Sequence, residues 1–476
     1  MTRAEFQVLY EQGPDALYAL FQQMEQTIAA LSARVQALED QLRKDSHNSS
    51  KPPSSDGYKK KPVSLRQPSG KKSGGQPGHP GTTLCLSDDP DTTLQHAPET
   101  CSFCAASLAN APVGGYERRQ VVDLPPLALQ VTEHRALCKR CPRCHKRNTG
   151  VFPKGVTDSV QYGPKVKGLV AYLHTYQMLP DERLCELLFD LFGACPSEGT
   201  LHNWLDSAFE TLAPVETAIK AALSTSAVVG FDETGERIAG KLHWLHSAST
   251  ERLTAYFPHT KRGTKAMDDA GILPGFFGVA VHDAFSPYFG YTGCEHALCN
   301  AHLLRELTFV KGLPRQSWSC GVLNLLIEIK EAVDDAKANG RSHLAPEVRD
   351  AFRRRYDRRV RDGLFDNPRA EPTGRKGRPR QSAAHNLALR LKVHKDEVLR
   401  FMDRFDVPFD NNQSERDLRM MKVKQKVSGC FRSQRGAAVF CRLRGYIATL
   451  RKQRIPLLTA LQSIFEGQPR MPEFSG

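Results

Sequence analysis

The chain has 476 residues, 66 of them Lys or Arg against 52 Asp or Glu, for a formal net charge of +14 and a pI near 9.2. That length exceeds one ordinary core and predicts about two to four domains, one of them large enough to enclose a catalytic centre. So basic a surface attracts polyanions, and nucleic acid is the commonest such partner. No uncharged apolar run approaches the roughly 20 residues of a spanning helix, and the first residues lack a signal peptide's apolar stretch, so the expected location is cytoplasmic with no membrane partner. Thirteen cysteines is an odd number in such a chain, which favours a local metal site over a disulfide framework.

In residues 1–45, apolar side chains recur at alternating steps of four and three: Leu17, Phe21, Met24, Ile28, Leu31, Val35, Leu38 and Leu42. Phe21, Ile28, Val35 and Leu42 then take the a positions of a heptad and the others d, an arrangement that favours a parallel pair of helices. Arg34 at g and the following Glu39 at e suit an interchain ion pair. The plainer alternative is a helix packed on its own domain. Residues 46–95 begin with HNSSKPPSSDGYKKKP and GKKSGGQPGHPG, a stretch too polar to build a core. They predict a flexible cationic linker in which Lys51, Lys59, Lys60 and Lys61 run along phosphates, or a solvated spacer.

Residues 96–150 hold Cys101-x-x-Cys104 and, 36 residues later, Cys141-x-x-Cys144. Two such knuckles present four thiolates to one tetrahedral Zn²⁺, and a closed four-ligand site serves structure, not chemistry. Cys138, His145 and His96 are weaker alternative ligands. Residues 151–222 read as helices, GPKVKGLVAYLHTY, DERLCELLFDLF and SEGTLHNWLDSAFETL. The last two are a helix-turn-helix candidate offering Thr200, His202 and Asn203 to a groove, or a plain packing unit.

From about residue 223 the apolar period becomes two. VVGFDETGERI, KLHWLHSAST and RLTAYFP predict an antiparallel meander, and FFGVAVHDAF a buried fourth strand. This is the opening of a ribonuclease-H-like core, expected over 223–312 and completed by 406–465 after a helical insertion at 313–405 and before a tail at 466–476. Asp232 in the first strand and Asp283 at the end of the fourth converge in such a core. Glu415, on a helix after the Asp410-Asn411-Asn412 turn, supplies a third oxygen ligand of the kind hard divalent cations require. Glu233, Asp410 and Glu306 are the alternative carboxylates. Arg416, Arg419 and Lys422 follow Glu415 as candidate phosphate contacts. His302 and Arg305 in CNAHLLREL are candidates too, or helix-packing residues. In the loop GRKGRPR, Arg378 and Arg380 suit a minor-groove arm or a basic connector.

Several motifs together carry a resemblance over essentially the whole chain: the heptads running into HNSSKPPSSD, the double CxxC with ERRQVVDLPP and VTEHR between, FDETGERIAGKLHWLHSAS, AVHDAFSPYFGY, ALCNAHLLREL and DNNQSERDLRMMKVKQKVSGCFRS. The chain resembles the large transposase of the insertion-sequence-66 family, TnpC type. The resemblance implies a multidomain α+β protein with a DDE-type, ribonuclease-H-like catalytic domain and a zinc-binding domain. It implies Asp232, Asp283 and Glu415 as the triad, two Mg²⁺ or Mn²⁺ ions, and one structural Zn²⁺ on Cys101, Cys104, Cys141 and Cys144. The implied partners are double-stranded DNA at element ends and target, further copies of the chain, and small accessory proteins, in a bacterial, nucleoid-associated setting. Family members usually carry Gly after the last zinc cysteine, where this chain has His145, and Cys138 is an extra thiol. The rival readings are a catalytically inactive transposase-derived DNA-binding protein, against which the intact triad argues, and a metal-dependent nuclease or resolvase on the same fold.

Overall fold

A computed structural model describes residues 3–43, 83–370 and 381–474, together with Gly78 and Pro379. Lys51, Lys59, Lys60 and Lys61 of the linker and Arg378 and Arg380 of the basic loop lie outside the described residues. The chain divides into one unit of residues 1–62, 135–187 and 195–476, and a second of 63–134 with 188–194. In the second unit, the described backbone is held by turns and side chains. Ser87 is its clearest tie, exchanging 2.7 Å bonds with Gln120 and accepting from Arg118 at 2.8 Å.

In the first unit, α1 (Arg3–Glu11) ends at Gly13, whose φ of +95° is open to glycine alone without strain. Helix α2 (Pro14–Arg43) restarts with Pro14 at its first position and Asp15 in its first turn, both suited to a helix N-terminus. Phe21, Met24, Ile28, Leu31, Val35, Leu38 and Leu42 are exposed along it. Strands β1 (Cys138–Arg140) and β2 (Arg147–Thr149) form an antiparallel hairpin around the second CxxC.

Helix α3 (Pro164–Ala171) runs into a π-helical turn at Tyr172–Tyr176, followed by α4 (Asp181–Phe192), α5 (Glu198–Thr211) and α6 (Ala213–Ser224). The Ser197 hydroxyl caps α5 by accepting from the Thr200 amide. Leu201, Leu205 and Ala208 of α5 and Val215, Ile219 and Leu223 of α6 are buried at helical spacing, the stripe that an amphipathic helix turns to a core. The exposed His202 of α5 pairs with Asp181 at 3.2 Å, while Asp206 and Glu210 take Arg435 at 2.7 and 2.6 Å. The outward face of α5 is thus acidic and already bonded.

The sheet comprises β3 (Val228–Ile238), β4 (Lys241–Ser249), β5 (Thr254–His259), β6 (Val279–His282) and β7 (Glu295–Leu298) in the order β5-β4-β3-β6-β7. The first three form the expected meander, closed between β3 and β4 by Ala239 and Gly240 at φ +49° and +77°. Two such residues make the primed turn that matches strand twist. After α7 (Thr264–Ala270), β6 and β7 run parallel to β3. Strand β7 escaped the sequence reading because EHAL is too short to show a period.

Alternation along the strands feeds two cores. Val229, Phe231 and Ala280 join α6 and the last two helices, α14 (Gln434–Lys452) and α15 (Leu457–Phe465), which follow α8 (Asn300–Lys311), α9 (Ser317–Ala338), α10 (Pro346–Asp366), α11 (Ala383–Val393), α12 (Lys395–Asp403) and α13 (Asn412–Ser428). Val279, Val281, Ala297 and Leu298 join α8 to α12. The segment expected as an insertion therefore shares a core with the parallel strands, each fully buried Leu or Ile contributing about 2 kcal/mol to holding it there. A third cluster packs Ile238, Leu245 and Tyr256 on Leu418 and Met421 of α13. Among the described residues, no helix is long and apolar enough to cross a membrane.

Candidate active site

Each β6 residue lies 51 positions after its β3 partner, from Val228 with Val279 to Gly230 with Val281. Asp232 lies two residues beyond the last of these pairs on β3, and Asp283 two residues beyond it on the other chain segment, just past the end of β6. Helix α13 reaches this corner because β3 has no side chain at Gly230. A Cβ there would lie 2.3 Å from Asn411 Oδ1 and 2.5 Å from Ser414 Oγ. Asn411 Nδ2 donates to Phe231 O at 2.8 Å, and its amide donates to Cys299 Sγ at 3.1 Å. Buried Ser414 bonds Ser249 at 3.0 Å. One turn of chain thus pins β3, β4 and the start of α8 together, and Glu415 follows directly.

Asp232, Asp283 and Glu415 are all partly buried. Burial, then the charges of Glu233, Asp283 and Glu415, push the Asp232 carboxyl well above the usual carboxylate range. Burial and then Glu233 raise Asp283, against the opposing pull of His302, the Phe285 amide and Arg262. Each carboxylate is steadied by a neighbour. Asp232 Oδ1 accepts from the Glu233 amide at 2.9 Å, Asp283 Oδ1 from Phe285 at 3.1 Å, and Glu415 Oε1 from Arg305 Nη2 at 2.9 Å. His302 Nδ1 lies 3.7 Å from the same Glu415 oxygen, and burial followed by Arg305 holds its imidazole at about 4, neutral at physiological pH. Among the described residues, Cys299, His302 and Glu415 are the group whose ligand atoms all lie within 4.8 Å of one another. Cys299 is buried and its thiol is pushed up to about 12, chiefly by burial, so it serves there as a neutral acceptor for Asn411.

Glu233 has its own network. Its Oε2 accepts from Tyr288 at 2.6 Å, and its Oε1 takes Arg262 Nε and Nη2 at 2.9 and 2.8 Å. Of the other sequence candidates, Arg416 and Arg419 are exposed on α13, whereas Lys422 is half-buried with Nζ donating to Gly235 O at 2.5 Å. Asp410 accepts from the Asn412 amide within its turn, and Glu306 pairs with Arg390 at 2.6 Å. Sequence reasoning missed the part played by Gly230, Arg262, Tyr288 and Cys299, and read Asn411 only as part of a turn. Only the glycine before FDET and the Asn-Asn turn carried any signal.

The two CxxC knuckles are alike. Cys101 N donates to Ala106 O and Ala105 N to Cys101 O, at 2.8 and 2.9 Å. Cys141 N and Lys146 O, with His145 N and Cys141 O, repeat the pair at 2.9 Å each. The residue after each second cysteine is left-handed, Ala105 at φ +59° and His145 at +57°. The amides of Phe103 and Cys104 lower the Cys101 thiol, and those of Cys144 and Arg143 lower Cys141, which favours the thiolate a metal needs. Cys138 is engaged elsewhere, with Sγ accepting from Arg147 at 3.0 Å and lying 3.3 Å from Thr149 Oγ1.

Sheet, acidic corner and cysteine knuckles accord with a zinc-finger domain followed along the sequence by a transposase domain. The family model described as Transposase IS66 family matches residues 159–439, more than half of the chain, and that of the zinc-finger binding domain of transposase IS66 matches 98–145. A family of unknown function (DUF6444) matches residues 3–84. The uncharacterized protein y4jO of Sinorhizobium fredii is 30% identical over 162 residues, 33% of this chain and 44% of that protein. The chain therefore spans less than half the length of that relative. It belongs to the IS66 transposase family.

Proposed function

We propose that the chain is a DDE-type DNA transposase that binds element ends and carries out divalent-metal-dependent phosphodiester cleavage and strand transfer through Asp232, Asp283 and Glu415. The observation that supports this reading is the parallel pairing of β3 and β6, with Asp232 and Asp283 each two residues past its last pair, beside the Gly230 gap that admits the helix bearing Glu415. The strand order, three antiparallel then two parallel to the first, supports a ribonuclease-H-like core. The donor set fits hard cations, being all oxygen, with Asp232 pushed above the usual carboxylate range by burial and then by its acidic neighbours. Mg²⁺ or Mn²⁺, when bound, supplies activation of the attacking hydroxyl and stabilisation of the leaving oxygen during in-line displacement. In the free protein Arg305 compensates Glu415, and its guanidinium is placed to pass to a DNA phosphate when the carboxylate is recruited. Neutral His302 sits ready to accept or donate a hydrogen bond beside it.

Outside this corner, the zinc-finger match over 98–145 supports a structural Zn²⁺, for which Cys101, Cys104, Cys141 and Cys144 are the proposed ligands. Arg416 and Arg419 on α13, with Lys51, Lys59, Lys60, Lys61, Arg378 and Arg380, contact phosphates. The exposed heptad seam of α2 pairs with that of a second copy, coupling two catalytic domains across two element ends.

The test is incubation of purified protein with its element ends, Mg²⁺ and a target plasmid, mapping nicks and joined products. Glu415→Gln abolishes nicking and joining while end binding stays within about threefold, because a lost cation ligand removes transition-state stabilisation and leaves phosphate contacts intact. Full nicking by Glu415→Gln removes Glu415 from the triad. Nicks without joining make the protein a nuclease, and binding without either makes it a DNA-binding protein only.

A further inference from the structure

Beside Asp283 lies a cavity of about 300 Å³ walled by Arg262, Phe285, His302, Glu306 and Arg390 as well as Asp283 itself. Arg262 is unlike an ordinary surface arginine in how it is held. Both Nε and Nη2 bond one oxygen of Glu233, whose other oxygen is fixed by the buried Tyr288 hydroxyl. The guanidinium carbon also lies over two aromatic rings, 4.0 Å from the Phe285 centroid and 4.9 Å from that of Trp244. The anion of this pair is 1% exposed and the cation 38%. Sealing a charge in the interior costs desolvation that its partner's attraction only partly repays, so a buried acid held by a base is weak evidence for a purely stabilising role. Here the acid is sealed and the base reaches over a polar cavity, with its Nη1 edge left for a ligand.

We infer that Arg262 is a substrate-contacting residue of the transposase reaction, a prefixed guanidinium that receives a non-bridging oxygen of the DNA strand entering beside Asp283, with Glu233 and Tyr288 as its positioning residues. This rests on the proposed reading of the carboxylates as the cleavage site. Planar guanidinium and tetrahedral phosphate are a matched donor–acceptor set. Locking the side chain through Glu233 and two rings removes most of the rotamer entropy that contact would otherwise cost. It also explains why a fourth acid stands next to Asp232, where it otherwise only adds repulsion: Glu233 faces Arg262 and Tyr288, not the triad's ligand space.

The experiment uses the full chain, a duplex of the element's own terminal sequence, and Ca²⁺ in place of Mg²⁺ so that binding is read without cleavage. The scissile phosphate is either natural or replaced by each diastereomer of a methylphosphonate, which deletes one charged oxygen. Wild-type protein should lose about tenfold in affinity on one diastereomer, the size of a charge-assisted hydrogen bond. Arg262→Ala should bind the two methylphosphonate diastereomers within about twofold of each other, and Arg262→Lys should fall between. If removing the guanidinium strands Glu233 and unfolds the chain, Arg262→Ala combined with Glu233→Gln gives the same comparison without the orphaned charge. An undiminished stereospecific loss in these variants, or none in the wild type, overturns the inference. Asp232→Asn in Mg²⁺ separates the two failures. Continued cleavage by Asp232→Asn sinks the carboxylate reading, whereas a dead Asp232→Asn beside an indifferent Arg262→Ala removes Arg262 alone.

Discussion

Each cysteine knuckle closes within six residues, by two backbone bonds and one left-handed residue, so Cys101 to Ala106 and Cys141 to Lys146 take one geometry independently. The carboxylate corner needs four segments, with Asp232 from β3, Asp283 from the end of β6, Arg305 from α8 and Glu415 from α13, tied by Asn411 and Ser414. Local order makes the knuckles tolerant, since what lies outside them matters only through the metal. Long-range order makes the corner fragile, since a displacement of any one strand or helix moves one of its carboxylates.

The largest expected effect tests that fragility. Gly230→Ala adds one methyl group, which meets Asn411 Oδ1 at 2.3 Å and must push α13 away from β3. DNA cleavage should fall by about 100-fold, the usual cost of misplacing a catalytic group by about 1 Å. Gly235→Ala on the same strand meets only the flexible Leu242 Cδ1 at 3.3 Å and should leave cleavage near wild type. Equal rates for the two variants in a nicking assay would show that α13 is not positioned by this contact.

The knuckles should answer to metal analysis. Cys101→Ser or Cys141→Ser should lose bound zinc in elemental analysis of protein purified without chelator, while Glu415→Gln keeps it. Unchanged zinc in both cysteine variants would sink the four-thiolate reading. The smallest effect concerns His145, which holds φ +57°, a conformation costing a side-chain-bearing residue about 1 kcal/mol. His145→Gly should raise zinc retention against a chelator slightly, and a decrease would mean that the imidazole itself assists the site.

The same contrast governs what the sequence disclosed. Cys101-x-x-Cys104 and Cys141-x-x-Cys144 announce themselves because the spacing is the structure. The period-two runs around Asp232 and Asp283 located two carboxylates, since strand pattern and register are read along the chain. Pairing across distance was hidden: nothing near Arg305 in the sequence points to Glu415, nothing near Glu233 to Arg262, and nothing near Cys299 to Asn411. Lys422 shows the converse, a basic residue at helical spacing from Arg419 that turns inward to Gly235 because it falls on the buried side of α13. Composition could not separate the two faces of that helix, and β3 behind it did.

On the proposed function, the corner is assembled for a divalent cation and is strained without one. Because the folded Asp232 carboxyl holds its proton more tightly than an unfolded one, the metal-free protein loses stability as pH rises from about 4 through the folded value. Asn at this position keeps the oxygen that accepts from the Glu233 amide and removes the charge. The direct measurement is thermal melting of wild type and Asp232→Asn between pH 5 and 8, with and without Mn²⁺. Without metal, Asp232→Asn should melt higher than wild type at pH 8, with the gap closing as pH falls. Mn²⁺ at 100 times its dissociation constant should stabilise the wild type by about 2.7 kcal/mol and leave Asp232→Asn nearly unmoved. A lower melting temperature for Asp232→Asn at pH 8, or an equal response of both proteins to Mn²⁺, would contradict the account.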